Sequence, residues 1–169
     1  ISSAAAVLMD GYHLTQQQFA IAFGFNAFGI ILLSSINKRL ANRFSVIRRL
    51  TIGGLIQVTG ALIIVGTGLI SQAPLAMVML GLFLTVSGIG FTGPNAMALA
   101  MSEQGSRAGT ASAIMGSMQF ACGLLGGVVL NFLVWNQLFN MGILMLAFTV
   151  AGFLAILKVA QQLRLNQPL

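Results

Sequence analysis

The sequence predicts an all-α membrane protein, a bundle of apolar helices joined by short polar breaks. Three observations carry this reading. The chain is 57% hydrophobic and 6% charged, with a mean hydropathy of +0.96, whereas a soluble domain carries about 25% charged residues. No Lys, Arg, Asp or Glu falls within residues 16–36, 50–70, 75–101, 110–134 or 138–157, and each run is close to the roughly 20 residues a bilayer-crossing helix needs. The basic residues gather in three places. Lys38, Arg39, Arg43, Arg48 and Arg49 follow the second segment, Arg107 follows the fourth, and Lys158 and Arg164 lie in the tail. Two crossings separate each place from the next, so all three share one side. That is the positive-inside pattern, which sets this side as cytoplasmic. The expected location is the inner membrane, crossed many times.

The elements follow in order. Residues 1–9 are apolar but too short to span. They read as the later part of a helix, and the chain as part of something longer. The second segment, 16–36, has a well-marked start. Thr15 is a good N-cap, Gln18 completes a capping box, and Leu14 and Phe19 occupy the hydrophobic-staple positions. The third segment, 50–70, ends at the turn Ser71-Gln72-Ala73-Pro74. The fourth, 75–101, contains Gly88, Gly90, Gly93 and Pro94. Pro94 removes a backbone donor and crowds the carbonyl of Gly90, so a kink or loosened helix is expected there. The fifth, 110–134, ends before Asn136-Gln137, and the sixth runs over 138–157. Only helices fit such long runs, because the alternation of barrel strands is absent. The side opposite the basic loops receives residues 10–15, 71–74 and 135–137. These hold no Lys or Arg, and Tyr12 and Trp135 stand where an aromatic belt would lie.

Several function classes are excluded. The net charge of +6 is confined to loops and tail without an aromatic-basic face. No nucleic-acid partner is therefore expected, and orientation with contact to anionic lipid explains the charge. Cys122 is the single cysteine, so no intrachain disulfide or metal cluster forms. One His and two acids leave no Ser-His-Asp set, no paired carboxylates and no metal site. His13 reads as an ordinary loop residue. The chain is expected to be no enzyme and to use no cofactor.

The spans hold few polar side chains: Asn26, Gln57, Asn95, Gln119, and Asn131 near an end. None contains a carboxylate, so this chain by itself carries no conventional proton relay. Gly109, Gly116 and Gly123 recur every seven residues and form a stripe that Ser112, Gly126 and Gly127 broaden. Such a stripe lets another helix approach closely, and packing alone explains it. Gln119 lies about 40–60° to one side and reads as cavity lining. Asn95 either satisfies a carbonyl freed by Pro94 or faces a cavity, and Asn26 divides the same way. Gln57 reads as a helix–helix hydrogen bonder.

Three stretches resemble a known family. Phe91-Thr92-Gly93-Pro94-Asn95-Ala96-Met97-Ala98, then Arg107-Ala108-Gly109-Thr110-Ala111-Ser112-Ala113, then Gly116-Ser117-Met118-Gln119-Phe120 resemble the tenth and eleventh helices of the Bcr/CflA multidrug efflux proteins. Those proteins belong to the major facilitator superfamily. Leu14-Thr15, Gln18-Phe19 and Phe25-Asn26-Ala27 resemble the start of the eighth helix. Asn42-Arg43 with Arg48-Arg49 resembles the basic cytoplasmic motif of that superfamily, with Asn42 in place of its usual acid. That departure makes the loop an orientation anchor rather than a gate. The resemblance implies a C-terminal six-helix half with its first helix truncated, paired with an N-terminal half that holds the coupling acid. It implies proton-driven export of amphipathic small molecules, with the proton gradient as energy source. On that mapping Asn26, Asn95 and Gln119 fall on cavity-lining helices, Met115, Met118 and Phe120 supply an adaptable apolar wall, and the ninth and twelfth helices face lipid.

Overall fold

The structure is a computed structural model that describes residues 2–70, 72–102, 104, 107–133 and 135–165. It is helical throughout, with no strand among the described residues. Helix α1 (Ser2–Ala5) runs into a π-helical segment, Ala6–Gly11. There follow α2 (Gln16–Leu40), α3 (Val46–Gly68), α4 (Leu75–Ser87), α5 (Ile89–Met101), α6 (Ala108–Phe132) and α7 (Gln137–Leu165). Helices α4 and α5 form one apolar run, Leu75–Met101. That run, α2, α3, α6 and α7 make 5 helical stretches among the described residues long and apolar enough to cross a membrane. Residue 134, where the sequence places the end of the fifth segment, lies outside the described residues.

The start of α2 shows both halves of a capping box. Thr15 Oγ1 accepts from the Gln18 amide at 3.3 Å, and Gln18 Oε1 accepts from the Thr15 amide at 2.9 Å. Leu14 and Phe19 pack against one apolar cluster, formed by Val7, Leu8, Ile64, Val78, Leu82, Leu138 and Met141. Close by, the Tyr12 hydroxyl donates to the Ala73 carbonyl at 2.9 Å, and desolvation raises its pKa above the usual phenol value.

The helices run past the apolar segments read from the sequence. Of the basic residues assigned to the first loop, Lys38 and Arg39 lie in the last turn of α2. Arg48 and Arg49 lie in the first turn of α3, which leaves Arg43 in the connecting turn. Hydropathy marks the hydrocarbon-facing part of a helix, whereas the backbone ladder continues until a cap ends it. Ser45 supplies that cap, its Oγ accepting the Arg48 amide at 3.3 Å.

The break in the fourth segment falls at Gly88, more than a turn before Pro94, which sits inside α5. The Phe91 and Thr92 amides both bond to the Gly88 carbonyl, at 3.0 and 3.1 Å, which tightens the turn. Glycine is required there by close approach. A Cβ at Gly88 would overlap the Gln57 side chain and lie 3.0 Å from the Gly53 carbonyl of α3.

Helix α3 is the hub. It packs on α4, α5 and α7 through a buried stripe of Leu50, Gly53, Gly54, Gly60, Ala61, Ile64 and Thr67. Leu55, Leu62 and Leu69, seven residues apart, stay uncovered on its other side, as a lipid-facing row would. The α3–α4 crossing is backbone on backbone. A Cβ at Gly60 would lie 2.5 Å from the Thr85 amide nitrogen and 2.6 Å from the Gly81 carbonyl oxygen. Helix α6 is the opposite case, touching α5 and α7 only lightly.

These contacts separate two glycines of one helix. Gly60→Ala should destabilise the full-length protein in detergent by about 1–3 kcal/mol, because neither backbone can yield without parting the helices. Gly66→Ala, where a Cβ meets nothing within 4 Å, should stay within about 0.5 kcal/mol. Denaturant titration of the two variants measures the difference.

Candidate functional site

The inner face of α2 carries Ala22, Asn26, Gly29 and Asn37, all buried. Asn26 and Asn37 are eleven residues apart, which returns to within about 20° of the same face. Two glycines bring this face close to its neighbours. A Cβ at Gly29 would overlap Ser87 and Phe83 of α4. A Cβ at Gly90 of α5 would lie 2.6 Å from the Ile30 carbonyl and 2.7 Å from the Ser34 amide nitrogen.

That approach answers a problem set by Pro94. In a regular helix the residue at 94 donates its N–H to the Gly90 carbonyl, and proline has none to give. An unpaired carbonyl in hydrocarbon costs several kcal/mol. Side chains of α2 reach the Gly90 carbonyl instead, Asn37 Nδ2 and Ser34 Oγ both donating at 3.4 Å. Asn37 Oδ1 then accepts from Asn95 Nδ2 at 2.9 Å and from Arg49 Nη1 at 3.1 Å. Asn95 Nδ2 also donates to the Phe91 carbonyl at 2.7 Å, and Arg49 Nε to the Phe44 carbonyl at 3.3 Å. One network thus joins α2, α3 and α5 at the basic end of the bundle. Its amides are almost closed to solvent, Asn37 4% and Asn95 2% exposed.

Between the two readings of Asn95, the structure places its amide in this network, satisfying the carbonyl of Phe91 rather than that of Gly90. Asn26 is buried, and its Oδ1 accepts no hydrogen bond among the described residues. Ser87 Oγ, on the facing helix, is likewise unpartnered among them.

The remaining candidates lie apart, on α6. Gln119, Met118 and Phe120 are uncovered, Phe120 to 83%, and Met115 is partly covered. A Cβ at Gly109, Gly116 or Gly123 would meet nothing within 4 Å. No described helix therefore seats on the glycine stripe. At Gly126, which broadens that stripe, a Cβ would lie 3.5 Å from Leu144 and 3.6 Å from Phe148 of α7. Gly93 has only Ile89 nearby, at 3.7 Å. The candidates thus form two groups, Asn26 and Asn95 buried among the packed helices and the α6 set largely uncovered.

Asn37, Ser34 and the inward role of Arg49 were not singled out from the sequence. Asn37 borders Lys38, which put it in the loop. Its eleven-residue spacing from Asn26 was the available signal. The network is neutral apart from one guanidinium. It contains no acid and no nucleophile, so its chemistry is positioning: it fixes three helix ends and keeps Arg49 turned inward.

A double-mutant cycle checks the core bond. Asn37→Ala and Asn95→Ala should couple by about 0.6 kcal/mol, and by no more than about 1.7, in denaturant unfolding of the full-length protein. Additive losses would show that the two amides act separately.

Comparison with known proteins fits this architecture. Residues 1–127 match the Major Facilitator Superfamily. Over 167 residues the chain is 30% identical to an uncharacterized MFS-type transporter, YdgK, of Bacillus subtilis (strain 168), an alignment covering 96% of this chain and 40% of that protein. The chain therefore spans less than half the length of this relative. No solved structure matches it. The family match runs from α1 through most of α6, over the glycine-packed apolar helices described above, and the chain belongs to the major facilitator superfamily.

Proposed function

We propose that this chain is the C-terminal half of a secondary transporter that exports amphipathic small molecules in exchange for protons, as the Bcr/CflA resemblance implies. The observation that carries the reading is the open face of α6. Gln119 and Phe120 flank the stripe of Gly109, Gly116 and Gly123, which no described helix covers, and Met115 and Met118 lie farther round the same helix. A wall of flexible and aromatic apolar groups with one amide suits varied, weakly polar cargo. A sugar or amino-acid carrier would call for charged or strongly polar side chains there, and α6 offers a single amide in this group. The name of the Bacillus relative, a transporter, supports the class. Transport works by rocking this half against an N-terminal one around a midplane site. The spans contain no carboxylate, so the coupling acid belongs to the other half. The basic ends of the helices face the cytoplasm of a bacterial inner membrane.

Gln119→Ala in the full-length protein should lower resistance to several drugs severalfold at unchanged protein level, and a proton uncoupler should abolish drug efflux by the wild type. Resistance unchanged across the panel would remove Gln119 from the site. Efflux that survives the uncoupler would refute proton coupling.

A further inference from the structure

We infer that the groove between the basic ends of α3, α5 and α7 binds an anionic diacyl phospholipid, with its phosphate held by Arg48. The groove has a volume of about 990 Å³. Ser45, Arg48 and Thr51 form its polar end, and Leu99, Leu157 and Leu163 its apolar wall. A second cavity of about 850 Å³ continues it toward the middle of the bundle, past Leu50, Ala96, Phe153 and Ile156. The two share Ile47, Leu99 and Leu163 in their walls. Among the described residues one apolar path therefore leads from the Arg48 guanidinium down between three membrane helices, a shape and polarity that suit an amphiphile.

Arg48 is arranged for an anion. Its guanidinium lies over the Phe44 ring, 4.4 Å from the centroid. Stacking occupies the face of the planar cation and leaves its N–H edge available. Among the described residues that edge meets no acceptor, while the neighbouring Arg49 is turned inward onto Asn37 and the Phe44 carbonyl. The two adjacent arginines thus divide the work. Arg49 holds the helices together, and Arg48 presents two parallel donors to the surface, the geometry that matches a phosphate. A free phosphate would engage Arg48 but leave the leucine wall and the cavity below it unfilled. An anionic lipid satisfies both ends, its chains lying along the apolar path. Basic pockets between membrane helices bind such headgroups.

The test uses the purified full-length protein in non-ionic detergent, with lipid binding followed by native mass spectrometry. Dioleoyl phosphatidylglycerol should bind about fivefold more tightly than dioleoyl phosphatidylcholine, the preference one basic contact supplies. Arg48→Gln should erase that preference, and Phe44→Leu, which removes the stacking platform, should reduce it. Arg43→Gln, a basic residue of the connecting turn before α3 that does not line the groove, should leave it intact. Ala160→Trp, which fills the groove, should weaken both lipids. Equal losses in Arg48→Gln and Arg43→Gln would overturn the site in favour of diffuse surface charge. Displacement of the lipid by millimolar inorganic phosphate would overturn the lipid as its occupant.

Discussion

A carbonyl without a helical donor sets the arrangement of this bundle. Pro94 leaves the Gly90 oxygen unpaired inside a membrane helix, and hydrocarbon offers no water to satisfy it. The donors come from α2, through Asn37 and Ser34. They reach only because Gly90 has no side chain to hold α2 away. Once Asn37 is fixed there, its own oxygen organises Asn95 and Arg49. A local defect of one helix thus becomes the link between three.

The same logic of close approach recurs across α3, α4 and α5. Gly60 against Gly81, and Gly88 against Gly53 and Gln57, bring these helices together with little side chain between them. Membrane helices gain no hydrophobic drive from associating, so such contact, with hydrogen bonds across it, supplies the cohesion. Helix α6 carries the same kind of glycine face, and no described helix lies against its Gly109, Gly116 and Gly123. Close contact is therefore concentrated in α2, α3, α4, α5 and α7, while α6 touches its described neighbours only lightly.

Much of this was legible in the sequence. Long uncharged runs located the helices, and Thr15 with Gln18 marked the start of α2. Pro94 and its glycines announced an irregular helix. Other features depended on partners that periodicity cannot name. The break between α4 and α5 fell at Gly88, where Gln57 and Gly53 of α3 lie too close for a side chain. Asn37 and Arg49 looked like loop residues because hydropathy ends before the helix does, at an interface where the backbone ladder continues. The glycine stripe of α6 was visible as a pattern, but what covers it lies on another surface, and no pattern within α6 specifies that surface.

The most direct measurement is the dependence of Asn37 on Pro94. Pro94→Ala returns an N–H to the Gly90 carbonyl, which then no longer needs α2. If that carbonyl is what draws α2 to α5, Asn37→Leu should destabilise the full-length protein less in the Pro94→Ala background than in the wild-type background, by about 0.6 kcal/mol or more. An equal loss in both backgrounds would contradict it, and would make Asn37 a partner of Asn95 and Arg49 alone.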